Sequence, residues 1–150
     1  MTHIQLTDQT ILPWQWMADT ETALLHAGTL TPNGYGATAS FIGTMRDFND
    51  GNDVTAMELI HYPGMTEREL ESILNECLTQ FDTLAAAVIH RTGEILPADT
   101  LVVVVVWSEH RKAAFAACRE IMEALKSRAP FWKKEITVDG PRWVEKNTAG

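Results

Sequence analysis

Nine of the twelve lysines and arginines in this 150-residue chain lie between Arg111 and Lys146, with five acids among them. That stretch therefore carries +4, while the chain as a whole carries −8. A locally basic quarter of an acidic protein fits either a small-anion site or a solvated helix face with a mixed tail. On a helix running from Lys112 to Arg128, Lys112, Arg119 and Lys126 fall about 60°, 40° and 20° from Phe115. The basic ridge thus drifts toward an apolar stripe of Phe115, Cys118, Met122, Leu125 and Ala129. A lysine beside such a stripe either snorkels outward or lines a concavity, where burial lowers its pKa and fits it for proton transfer. Lys133 and Lys134 follow the Pro130 break, close enough to fold back beside the helix end. Two readings of the cluster stay open. The cations can complement the helix dipole, at about 0.3–1 kcal/mol each, or they can form a site walled by Phe131 and Trp132.

Other candidates are weaker. His110-Arg111 follows a strongly apolar run, at a strand-to-helix junction where function is common and where an exposed cap is equally natural. Arg46 is one of three basic residues outside the C-terminal quarter. His61 and His90 lie in β-like runs and read as structural. Cys77 and Cys118 sit on apolar helix faces and read as small buried hydrophobes. Gly34-Tyr35-Gly36-Ala37-Thr38-Ala39 matches the dinucleotide pattern in letters, but a Pro-Asn loop precedes it and a β run follows, so it fails. No Cys, His and carboxylate spacing suits a metal, and no metal or cofactor is expected.

These residues need a scaffold. Composition is ordinary, 45% hydrophobic and 21% charged, and the size suits one domain over residues 1–150. The longest apolar run, Leu101 to Trp107, is too short for a membrane span. Met1 to Gln5 lacks the features of a secretory signal. A pI near 5.0 argues against nucleic acid. The expectation is a cytoplasmic protein without membrane or nucleic-acid partners. Ile4–Leu6, Ala37–Ile42, Val54–Tyr62 and Leu84–His90 read as strands, and Leu101–Trp107, apolar on both faces, as the central one. Asp50-Gly51-Asn52-Asp53 reads as a turn, Thr29–Tyr35 and Gly93–Asp99 as loops. Pro13 starts a weakly striped helix that ends before Gly28. A second helix carries Leu70, Ile73, Leu74, Cys77, Leu78 and Phe81 at steps of three and four, behind a Thr66/Glu69 capping box. The basic helix is the other long amphipathic one. Ile136–Val138, Asp139-Gly140-Pro141 and Trp143-Val144 predict a C-terminal hairpin. The class is α+β, with a mixed or antiparallel sheet.

Several stretches resemble the catalytic large subunit family of molybdopterin synthase. They are Phe41–Asp47, Glu58–Glu67 (ELIHYPGMTE), His90–Glu94, Ser108–Arg111 with Ala114-Phe115, and Leu125–Glu135 (LKSRAPFWKKE). The resemblance runs from about Gly36 to Val144, with Met45 where Val is frequent and a long Thr29–Tyr35 loop. It implies an enzyme of molybdenum-cofactor biosynthesis that installs the two dithiolene sulfurs on cyclic pyranopterin monophosphate. The sulfur would come from the C-terminal Gly-Gly thiocarboxylate of a small ubiquitin-like subunit, in a heterotetramer built on a dimer of large subunits. It further implies catalytic roles for Lys126, as general acid/base or acyl carrier, and for Lys133, stabilising negative charge. Thr44, Met45, Arg46, His110, Arg111, Lys134 and Glu135 are implied as substrate-binding residues.

Overall fold

The computed structural model describes residues 1–46, 48–49 and 52–144, the side chains of 48, 49 and 52–54 excepted. The elements run β1 (Thr2–Thr7), α1 (Pro13–His26), β2 (Ala37–Thr44), β3 (Phe48–Asn49), β4 (Asn52–His61), α2 (Met65–Gln80), β5 (Ala85–Arg91), β6 (Gly93–Ile95), β7 (Thr100–Ser108), α3 (Arg111–Arg128), β8 (Phe131–Thr137) and β9 (Gly140–Trp143). The α+β class and the C-terminal hairpin are as expected, but the strands form two sheets.

The first sheet has the order β1-β5-β7-β2. The β1–β5 pair is parallel and the others antiparallel. β7 is an inner strand, and both its faces are covered. Val102, Val104 and Val106 meet Leu70, Ile73 and Leu74 of α2 and Ala117, Cys118 and Ile121 of α3. Val103, Val105 and Trp107 face the α1 side with Leu24 and Leu30. Two-sided burial is why this run lacks the alternation of a half-exposed strand.

The second sheet has the order β3-β4-β8-β9, with β6 also paired to β4. Met57, Leu59 and Ile95 form its small core with Met45, the residue after β2. Gly93–Ile95, expected as loop, is a strand because it pairs with Met57–Leu59. Such a three-residue edge carries too little periodicity to be read from sequence. Of the expected turn at 50–53, Asn52 and Asp53 are strand residues that pair with Asn49 and Phe48; Asp50 and Gly51 lie outside the described residues. Among those residues no helix is long and apolar enough to cross a membrane.

Two helix details depart from expectation. Gly64, at φ 84°, is the N-cap of α2, and its N–H donates to the Glu67 carboxylate. The capping pair is therefore Gly64 and Glu67, not Thr66 and Glu69, because α2 starts at Met65. In α3 the buried residues are Ala114, Ala117, Cys118, Ile121, Ala124 and Leu125, while Phe115 is 68% exposed. Small alanines allow the helix to lie close on β2 and β7, so the core-facing stripe is offset from the large aromatic. Measured from that stripe, Lys126 lies about 120° from Ala114, on the flank.

Candidate functional site

Lys126 is in the last turn of α3, and Lys133 is the third residue of β8, beyond the Pro130 break. Pro130 has no N–H to continue the helix, so the chain leaves α3 and turns directly into a strand. Lys133 is thus a strand residue rather than part of a segment folded over the helix end. Its register partner is the buried Leu59, and Phe131 and Glu135 share its face of β8 by strand alternation. Glu135 is buried and accepts from an Arg142 guanidinium nitrogen at 3.2 Å.

The two lysines act on each other. The Lys133 ammonium is held below the ordinary lysine range, first by burial and then by the positive charge of Lys126, with Glu135 opposing. Both side chains are half-buried. Charges exposed on opposite faces would be screened from each other by water. Lys112 and Arg119, earlier in the ridge, are exposed, and Arg119 pairs with Glu123 at 3.2 Å.

His90, read from sequence as structural, belongs to the same cluster. Its ring stacks on Phe131 with centroids 4.1 Å apart, and its Nδ1–H donates to the Arg91 carbonyl at 2.8 Å. Burial, together with the Lys133 charge, moves its pKa down to about 4, although the Arg91 hydrogen bond acts the other way. The sequence signal was the His90-Arg91 pair, which periodicity alone could not connect to Phe131.

Arg46 is exposed just beyond Met45, whose backbone is clasped by the loop before β7. Met45 N–H donates to the Asp99 carbonyl at 2.9 Å, and Ala98 N–H donates to the Met45 carbonyl at 2.8 Å. Buried Met45 packs with Leu59, the register neighbour of Lys133. Thr44, at the end of β2, is exposed.

Three expected site residues lie elsewhere. Lys134 is on the opposite face of β8 from Lys133, with its ammonium 5.8 Å from the centroid of the Trp143 ring. His110 and Arg111 are at the start of α3, beside a shallow cleft of about 400 Å³ lined by Phe81, Asp82, His110 and Lys112. Fifteen helical steps separate Arg111 from Lys126, or about 22 Å. Among the described residues, two groups of cations, one with Arg111 and one with Lys126 and Lys133, therefore stand at opposite ends of one helix. Among the described residues, no group of three or more His, Cys, Asp or Glu side chains is placed to hold a metal.

The family model described as MoaE protein matches residues 17–128. A molybdopterin synthase catalytic subunit from Ralstonia nicotianae is 57% identical over 110 residues, covering 73% of this chain and 62% of that protein. This chain thus spans less than two thirds of that relative's length. A molybdopterin synthase catalytic subunit from Pseudomonas aeruginosa is 50% identical over 121 residues, covering 81% of this chain and 79% of that protein. Among solved structures, a molybdopterin biosynthesis MoaE protein from Burkholderia ambifaria superposes with a TM-score of 0.77 at 41% identity, covering 100% of this chain and 93% of that one. By extent of match and identity, this chain belongs to the MoaE protein family.

Proposed function

We propose that this chain is the catalytic partner in molybdopterin synthesis. It moves sulfur from the C-terminal thiocarboxylate of a small ubiquitin-like subunit onto cyclic pyranopterin monophosphate to form the dithiolene. The observation that carries this reading is the pairing of Lys126 with the half-buried Lys133. Both reactants are anionic, and a partly dry cationic pocket strengthens their charge-assisted hydrogen bonds. The sulfur arrives already activated, so neither buried cysteine, each with its thiol pushed up to about 11, is needed as a nucleophile.

Burial and the Lys126 charge both favour an uncharged Lys133 amine. We therefore assign Lys133 the proton-transfer or acyl-holding role, and Lys126 the stabilisation of negative charge, the reverse of the sequence-based assignment. Arg46, with Thr44 and Met45 beside it, flanks the substrate at the same end. His110 and Arg111 are too far along α3 to reach that substrate from the same chain. In this reading a second copy supplies them, so that the homodimer within the heterotetramer completes each site. Lys134 contacts the substrate or partner from the outer face, and Glu135 holds the Lys133 strand through Arg142. The chain works in the cytoplasm as one domain over residues 1–150, without a metal or resident cofactor.

The test is a single-turnover incubation of the chain with thiocarboxylated small subunit and cyclic pyranopterin monophosphate, with product detected after oxidation. Dithiolene product is expected. Complex formation without product would reduce the chain to a docking module.

A further inference from the structure

Thr66 and Glu69 have the spacing of a capping pair, yet Gly64 and Glu67 already cap α2. Both residues point instead at the turn between the two lysines. Thr66 is fully buried. Its hydroxyl accepts from Tyr62 N–H at 3.0 Å and donates to the Pro130 carbonyl at 3.3 Å. Two residues before Pro130, the Arg128 guanidinium donates through Nε to Glu69 at 2.9 Å and also grips Glu76. One helix therefore holds the α3–β8 turn at two points, and both points lie between Lys126 and Lys133.

We propose that Thr66 is a positioning residue of the lysine site, which acts with Glu69 and Glu76 through Pro130 and Arg128 to set the separation of Lys126 and Lys133. This rests on the functional reading above for its catalytic consequence, but not for its geometry. Pro130 has no N–H, so its carbonyl is the backbone handle at the corner. Arg128 supplies a planar fork that fixes direction as well as distance. An exposed ion pair contributes little stability, so the value of this one lies in where it holds the chain. Lys133 is faced by Lys126 from α3, by Glu135 on its own strand and by His90 from β5. Glu135 moves with Lys133 on one strand, so a small rotation of the turn changes chiefly the distance from Lys133 to Lys126.

The test uses the full chain, with its lysine side chains isotopically labelled, in the complex with the small subunit. Thr66→Val should move the Lys133 titration up toward that of a solvent-exposed lysine. It should also slow single turnover about tenfold or more, as misplacement of reacting groups does. Thr66→Ser, which keeps the hydroxyl, should restore both. If Thr66→Val does not fold, the exposed-end variant Glu69→Gln/Glu76→Gln carries the test, with the same upward shift expected. A folded Thr66→Val, or failing that a folded Gln pair, with the wild-type Lys133 titration overturns the proposal. If the wild-type complex makes no product, the functional reading fails, while the lysine titration still decides whether the clamp exists.

Discussion

The imidazole of His90 lies nearly flat on Phe131, with 17° between the planes, and so joins the first sheet to the strand that carries Lys133. Because a carbonyl can only accept, the hydrogen bond to Arg91 places the His90 proton on Nδ1. The ring is neutral at physiological pH, with its pKa down at about 4.

This relationship predicts acid lability. The folded pKa of His90 lies below the unfolded value near 6.5, so the unfolded chain binds the proton more readily between the two. Stability present above pH 6.5 is lost as pH falls toward 4, by up to about 3 kcal/mol from this group. Denaturant unfolding of wild type and His90→Phe across that range checks it. The variant keeps an aromatic partner for Phe131 and should show a flatter pH dependence. Parallel curves would mean that His90 does not titrate this way.

Lys133 predicts the opposite of a structural lysine. Its folded pKa is depressed, so below that pKa the fold holds a cation that burial and Lys126 both disfavour. Stability is regained as pH rises above the folded value, and in full only above the ordinary lysine value near 10.5. At neutral pH, Lys133→Met should therefore stabilise the fold, by about 0.5–2 kcal/mol, while abolishing turnover. Thermal unfolding decides it: a helix-capping lysine would give a lower melting temperature.

Much of this architecture can be read from the residues. The apolar run Leu101–Trp107 announces an inner strand, and the steps of three and four from Leu70 to Phe81 announce α2. The basic ridge is less legible. Phe115 is large and apolar, so it dominates any wheel drawn for α3, but alanines at 114, 117 and 124 make the actual contact. Small residues give a weak hydrophobic signal where close packing is greatest. The Lys133 strand is hidden for another reason. FWKKE reads as a polar tail until Leu59 and Met57 are placed opposite Lys133 and Glu135. Long-range pairing also hides the His90–Phe131 stack. That His110 and Arg111 stand at the far end of α3 follows from helix length alone, once they and Lys126 are placed on one helix.

The separation of the two cationic groups predicts complementation between copies. Lys126→Ala and Arg111→Ala homodimers should each be inactive. When the two are mixed and allowed to exchange subunits, half of the dimers carry one intact site, so about one quarter of wild-type turnover should return. Turnover that stays at the level of the separate variants would mean that both groups must act from the same chain.

The central claim is that Lys126 and Lys133 form one catalytic pair. It is tested most directly by single-turnover dithiolene formation with Lys126→Ala, alongside its thermal unfolding and its affinity for the small subunit. Loss of the charge partner should slow product formation by about a hundredfold or more, with melting temperature and subunit affinity near wild type. Turnover at the wild-type rate by the folded, partner-bound variant would contradict the account.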